Sequence, residues 1–185
     1  MWNKAEKFLS KDKYIGPLIK KYGHCQIKIA KKKNYFLDLV DSISGQQLSA
    51  KAARTIFNRL KEKAGGITPE NILELKDEEI RACGMSWAKV SYVKDLAQRV
   101  KNNKLKVKKL DKLPDEGVMK ELVAVKGIGP WTAEMFLMFS LGRQDIFPVD
   151  DLGIRNGLRL MRASGSESMK KLLKKDLKPL EMAEF

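Results

Sequence analysis

The residues best suited to chemistry lie in Leu122-Val123-Ala124-Val125-Lys126-Gly127-Ile128-Gly129-Pro130-Trp131-Thr132-Ala133. An apolar-faced helix runs into Gly-Ile-Gly and a second helix starts at once, with Pro130 in its first turn. Glycine tolerates positive φ and has no Cβ to block a close ligand. N–H groups at such a helix start lack intrahelical acceptors and carry partial positive charge, which suits a phosphate oxygen. Gly127, Ile128, Gly129 and Thr132 are therefore candidate contacts to a nucleic-acid backbone, with Ile128 plugging the angle between the helices. A hairpin used this way grips the backbone without reading sequence. The same residues also fit a tight turn between helices that binds nothing. A second stretch, Asp145-Ile146-Phe147-Pro148-Val149-Asp150-Asp151-Leu152-Gly153-Ile154-Arg155, sets two carboxylates side by side at a helix start, where either can cap the helix. Metal chemistry has little to work with. Cys25, Cys83 and the lone His24 cannot build a four-cysteine zinc site or an iron–sulfur cluster, and a mixed site with carboxylates has no supporting spacing. No cofactor is expected.

These residues need a scaffold, and the chain is long enough to supply one. Its 185 residues correspond to about one domain, which can bury a core without disulfide or metal staples. An apolar content of 43% and the absence of any biased tract argue against disorder. No apolar run approaches the ~18 residues of a membrane span, and Met1-Trp2-Asn3-Lys4-Ala5-Glu6-Lys7 does not read as a signal peptide. A reducing compartment, cytoplasmic or nuclear, is the expected setting. Charge is more informative. Lys and Arg number 37 against 23 Asp and Glu, a formal balance of +14. The excess is clumped before Asn34, between Arg99 and Lys112, and between Lys170 and Lys178. Such clusters favour a polyanion through counterion release, although each alone also fits a solvated surface.

Apolar spacing is helical almost throughout. Tyr35, Leu39, Val40 and Ile43 mark one helix, with Asn34 as its cap. Ala52, Ala53, Ile56, Phe57 and Leu60 mark the next, which Gly65-Gly66 ends. Thr68-Pro69 is a cap followed by proline at the first helical position. Asp77 and Ser86 are expected to cap two further helices, the latter carrying Tyr92, Val93, Leu96, Ala97 and Val100. Trp87 is read as core. Lys101 to Lys112 reads as a polar connector between lobes. Pro114-Asp115 opens a helix with Val118, Leu122 and Val125, and three more are expected over 131–141, 151–161 and 166–180. With no alternating strand and no repeat, the expected fold is all-α.

The hairpin followed by Pro-Val-Asp at a helix start resembles the helix-hairpin-helix DNA glycosylases. Within them, Gly-Ile-Gly-Pro-Trp-Thr-Ala-Glu-Met-Phe is similar to the 3-methyladenine DNA glycosylase II branch. So is Ile43-Ser44-Gly45-Gln46-Gln47-Leu48-Ser49 followed by Ala52-Ala53 and Ile56, and Leu96-Ala97 after Lys89 to Tyr92 extends the likeness over residues 35 to 160. The resemblance implies a two-lobed helical fold with the active site in the cleft between lobes. The lobes would span 34–110 and 113–185 with the N-terminal helix, and the hairpin motif 117–139. It also implies a monomer acting on double-stranded DNA that carries a damaged base, at the nucleoid or in the nucleus. An alkali cation between the hairpin and a phosphate is a further family possibility that no residue here specifies.

A glycosylase must extrude a nucleotide, because the glycosidic carbon is out of reach inside the duplex. It then stabilises an oxocarbenium-like sugar with a carboxylate. By the family's Pro-x-Asp spacing that carboxylate is Asp150, with Asp151 as its rival. Lyase-competent relatives place a lysine nucleophile where this chain has Trp131, so a monofunctional hydrolase that leaves an abasic site is expected. Tryptophan also suits a cationic alkylated purine, attracting it by up to about 2 kcal/mol when desolvated; the bland alternative is packing behind the hairpin. Gln46 or Gln47 would enter the duplex and replace lost pairing hydrogen bonds, the alternative being a helix cap, and Ser49 would join them at the DNA. Relatives follow Lys-Pro with an aromatic residue, an arginine and a long helix, whereas here Lys178-Pro179 leads to Leu180-Glu181-Met182-Ala183-Glu184-Phe185. That departure implies a differently closed core or a reduced pocket wall. It keeps two other functions in play: a non-catalytic DNA-binding or damage-sensing module, and a glycosylase for deaminated or oxidised bases.

Overall fold

The structure, a computed structural model, describes residues 3–26 and 34–163. Among these residues every regular element is helical and no strand occurs. They fall into two compact units, residues 34–147 and residues 3–26 with 148–163.

The smaller unit begins with α1 (Asn3–Leu9) and α2 (Ile15–Tyr22). Between them the Asp12 carboxylate accepts the N–H groups of Tyr14 and Ile15 at 2.8 and 2.9 Å, which turns the chain. Glu6 accepts His24 Nδ1 at 2.7 Å and the Cys25 N–H at 2.6 Å. The sole histidine is thus an exposed surface partner. The larger unit runs through α3 (Tyr35–Gly45), α4 (Ala50–Lys63), α5 (Pro69–Glu74), α6 (Asp77–Ala82) and α7 (Trp87–Lys101). A 3₁₀ segment (Val107–Lys112) leads to α8 (Asp115–Val123), α9 (Pro130–Met135) and a π-helical continuation (Phe136–Leu141). The smaller unit resumes with α10 (Leu152–Ala163).

Local chemistry explains most helix starts. Asn34 accepts the Leu37 N–H, Thr68 that of Asn71 and Ser86 that of Lys89, at 3.2, 3.2 and 3.3 Å. Each such cap is worth about 1 kcal/mol. Asp77 is not a cap: it is the first residue of α6, and Glu79 accepts the Lys76 N–H at 2.9 Å instead. The helix expected over 166–180 lies outside the described residues.

In the larger unit α3 packs against α4, α7, the 3₁₀ segment and the π-helical turn, while α7 packs against α5 and α6. Leu39, Val40, Ile43, Val93 and Leu96 are fully buried where these helices meet, each contributing roughly 1.5–3 kcal/mol of burial. The 101–112 stretch belongs to this unit, because Leu105, Val107 and Leu110 are buried in its core. A 3₁₀ helix brings positions three apart onto one side, so Val107 and Leu110 face in while Lys106, Lys108 and Lys109 stay exposed. Trp87 is 56% exposed rather than core; Met85 and Val90, on either side of it in the chain, are the residues buried there. Arg143, just past the π-helical turn, ties back to the start of α8. It donates to Leu113 O at 2.8 Å and pairs with Asp115 at 3.0 Å.

Candidate functional site

The hairpin joins α8 to α9. The Val125 N–H donates to Leu122 O and the Ile128 N–H to Val125 O, at 3.0 and 3.1 Å, winding the chain back on itself. Ile128 is buried between the helices, the plug its position predicts. Gly127 has φ +79°, and a Cβ there would stand 2.1 Å from Cδ2 of Tyr92. It is required both for its backbone angle and for the close approach of that ring. Gly129 differs: its φ is −89° and its ψ 175°, and a Cβ would meet nothing within 4 Å. Of the two glycines, only Gly127 uses the positive φ that glycine allows. Gly129 leaves open space in front of the helix start, where Pro130 is the first helical residue and Ala133 N–H donates to Gly129 O at 3.1 Å. Trp131 is 44% exposed on that first turn, while Thr132 is buried.

Beside the hairpin lies the turn that ends α3. Leu48 N–H donates to Gly45 O at 3.1 Å, Gln46 has φ −50° and ψ 130°, and Gln47 has φ +59°. This is the type II pattern, which normally takes glycine at its third position. A left-handed glutamine there costs about 1–2 kcal/mol. The two glutamines that sequence left interchangeable have separate tasks. Gln46 is half-buried, and its Nε2 donates to Gly127 O at 2.8 Å and to Thr132 Oγ1 at 3.4 Å. Gln47 is exposed at the tip together with Leu48 and Ser49, and Ser49 also caps α4 through the Ala52 N–H.

One face of α7 organises both loops. Lys89 Nζ donates to Ser44 O at 2.8 Å and to Gln46 O at 2.7 Å, and burial pushes its ammonium below the usual lysine range. Tyr92 packs on Gly127. Asp95 accepts the Lys126 N–H at 3.0 Å and Arg99 Nε at 2.7 Å. Burial opposes its ionisation, but these two donors prevail and hold its carboxyl below the ordinary range. Sequence reasoning missed this trio as site residues. The available signal was their spacing, 89, 92 and 95, which places them on one helical stripe.

In the smaller unit Asp151 caps α10, accepting the Ile154 N–H at 2.8 Å. Asp150 is 80% exposed, with Arg155 Nη1 at 3.9 Å. Among the described residues no three His, Cys, Asp or Glu side chains gather as metal ligands.

An all-helical fold with a Gly-x-Gly hairpin bonded to a glutamine turn defines a helix-hairpin-helix protein. The chain belongs to the HhH-GPD superfamily of base excision DNA repair proteins, whose sequence profile matches residues 40–182. It is 40% identical over 134 residues to DNA-3-methyladenine glycosylase 1 of Schizosaccharomyces pombe, covering 70% of this chain and 59% of that protein. It is 34% identical over 185 residues to the DNA-3-methyladenine glycosylase of Saccharomyces cerevisiae, covering 92% and 62%. The chain thus spans about three-fifths of the length of these two relatives. A solved Schizosaccharomyces pombe 3-methyladenine DNA glycosylase in complex with abasic DNA superposes with a TM-score of 0.72 at 37% identity, covering 86% of this chain and 81% of that one.

Proposed function

We propose that the protein is a monofunctional DNA glycosylase that hydrolyses alkylated purines of the 3-methyladenine type from double-stranded DNA. The observation that carries this reading is Trp131, exposed on the first turn after the hairpin, where a lyase would need an amine nucleophile. Gly127 to Gly129 and the first-turn N–H groups of α9 hold a phosphate. Thr132, being buried, contributes its main chain. Gln47 and Leu48 occupy the gap left by the extruded nucleotide, with Ser49 beside them, while Gln46 stays bound to the hairpin. The indole face of Trp131 attracts the cationic base.

Asp150 is the carboxylate in this scheme, because the Asp151 side chain is engaged as the α10 cap. As the bond from C1′ to the base nitrogen breaks, the base leaves with the electron pair and the sugar becomes cationic. The Asp150 carboxylate stabilises that charge and orients a water, whose oxygen bonds to C1′ and whose proton passes to the carboxylate. An alkylated base is already cationic and leaves without strong acid assistance. The protein works as a monomer without a cofactor, in the cytoplasm or the nucleus.

Single-turnover assays on duplexes carrying methylated, deaminated or oxidised bases test the reading. Release of methylated purines is expected, with no adduct trapped by borohydride. Asp150→Asn should slow release by about 10²–10³-fold or more while still binding an abasic-analogue duplex. Wild-type turnover by that variant would remove Asp150 from the mechanism. A trapped adduct would make the protein a lyase, and binding without release from any lesion would make it a damage-sensing module.

A further inference from the structure

We propose that Lys89 is a positioning residue for DNA interrogation, locking the central peptide of the Gln46–Gln47 turn so that Gln47 projects from its tip. Type I and type II turns differ by a flip of that peptide, and only the type II form puts the third residue at positive φ. A glutamine held there is strained, and left alone it would relax through the flip. Three bonds oppose this. Lys89 Nζ holds Gln46 O, the carbonyl that would swing away, at 2.7 Å. The same ammonium holds Ser44 O at 2.8 Å, anchoring the last turn of α3. The Gln46 side chain is fixed to Gly127 O at 2.8 Å. A cation at a helix C-terminus is also favoured by the partial negative charge of the last carbonyls. An amine on α7, far from the turn in sequence, thereby sets the direction of the Gln47 side chain through the peptide carbonyl it holds.

This inference rests on the reading that Gln47 fills the gap in the duplex. The test is affinity for a duplex containing a tetrahydrofuran abasic analogue, and for the same lesion strand alone, with Lys89→Met, Lys89→Arg, Gln47→Ala and the Lys89→Met/Gln47→Ala double variant. Lys89→Met should weaken duplex binding about tenfold and leave single-strand binding within about twofold, and Lys89→Arg should restore most of the loss. In the Gln47→Ala background Lys89→Met should add little. Additive losses, or equal losses on duplex and single strand, would overturn the positioning role alone. Lys89→Met binding the duplex like wild type would do the same. A Gln47→Ala variant with unchanged duplex affinity would instead sink the gap-filling reading, and the positioning role with it. Thermal unfolding of each variant identifies any that fail to fold; for those the Lys89→Arg result decides, since loss of duplex affinity without rescue counts against the proposal.

Discussion

Asp38 and Asp41 sit half-buried on α3, upstream of the turn that carries Gln47. Burial pushes both carboxyls above the ordinary range. A hydrogen bond with Ser140 opposes the shift at Asp38. The Asp38 charge adds to it at Asp41, where Arg54 opposes it. A carboxyl whose pKa is raised on folding keeps a proton that the unfolded chain has released. Its contribution to stability therefore falls as pH rises from the unfolded value through the folded one, and does not return above it. Asp41→Asn should accordingly raise the unfolding midpoint at neutral pH by about 2–5 °C, and the gain should shrink towards pH ~3, where both states of the wild type are largely protonated. A midpoint lowered at neutral pH would mean that attraction to Arg54 outweighs burial. At this scale sequence reading reached its limit at Gln46 and Gln47. Their types fit a DNA-facing turn, but what separates them is Gly127 O, a partner placed only by tertiary packing.

Helix identities and starts were largely legible, because Asn34, Thr68 and Ser86 cap by local side-chain chemistry. The 3₁₀ segment was not, because lysines dominate its composition while only Val107 and Leu110 carry the buried spacing. The hairpin was legible as a motif but not in the division of labour between its glycines. Gly127→Ala must accept a left-handed angle and displace the Tyr92 ring. It should destabilise the fold by about 2–4 kcal/mol in urea unfolding. Gly129→Ala meets no neighbour and should change stability by no more than about 0.5 kcal/mol. If a DNA backbone passes close to it, the same variant loses duplex affinity. A fully stable Gly127→Ala would refute the packing account, and a Gly129→Ala variant with unaltered DNA binding would move the phosphate away from that position.

Across the whole molecule the +14 charge balance is the feature read most easily and least specifically. Lys104, Lys106, Lys108 and Lys109 stay exposed around a buried edge of the larger unit, where they can reach phosphates without disturbing the core. Affinity for undamaged duplex should fall linearly on a logarithmic salt scale. Four neutralised phosphates would give a loss of about 10²-fold for a fourfold rise in salt. Binding that hardly changed would assign the charge to solubility instead.

If the proposed function holds, the bond from Gln46 to Gly127 has a consequence for how damage would be located. It ties the Gln46–Gln47 turn to the hairpin inside one packed unit, so on the proposed reading the part that grips the strand and the part that probes it keep a set separation. The pair acts as a ruler. On that reading, whichever phosphate the hairpin holds, the nucleotide that Gln47 meets lies a constant offset away.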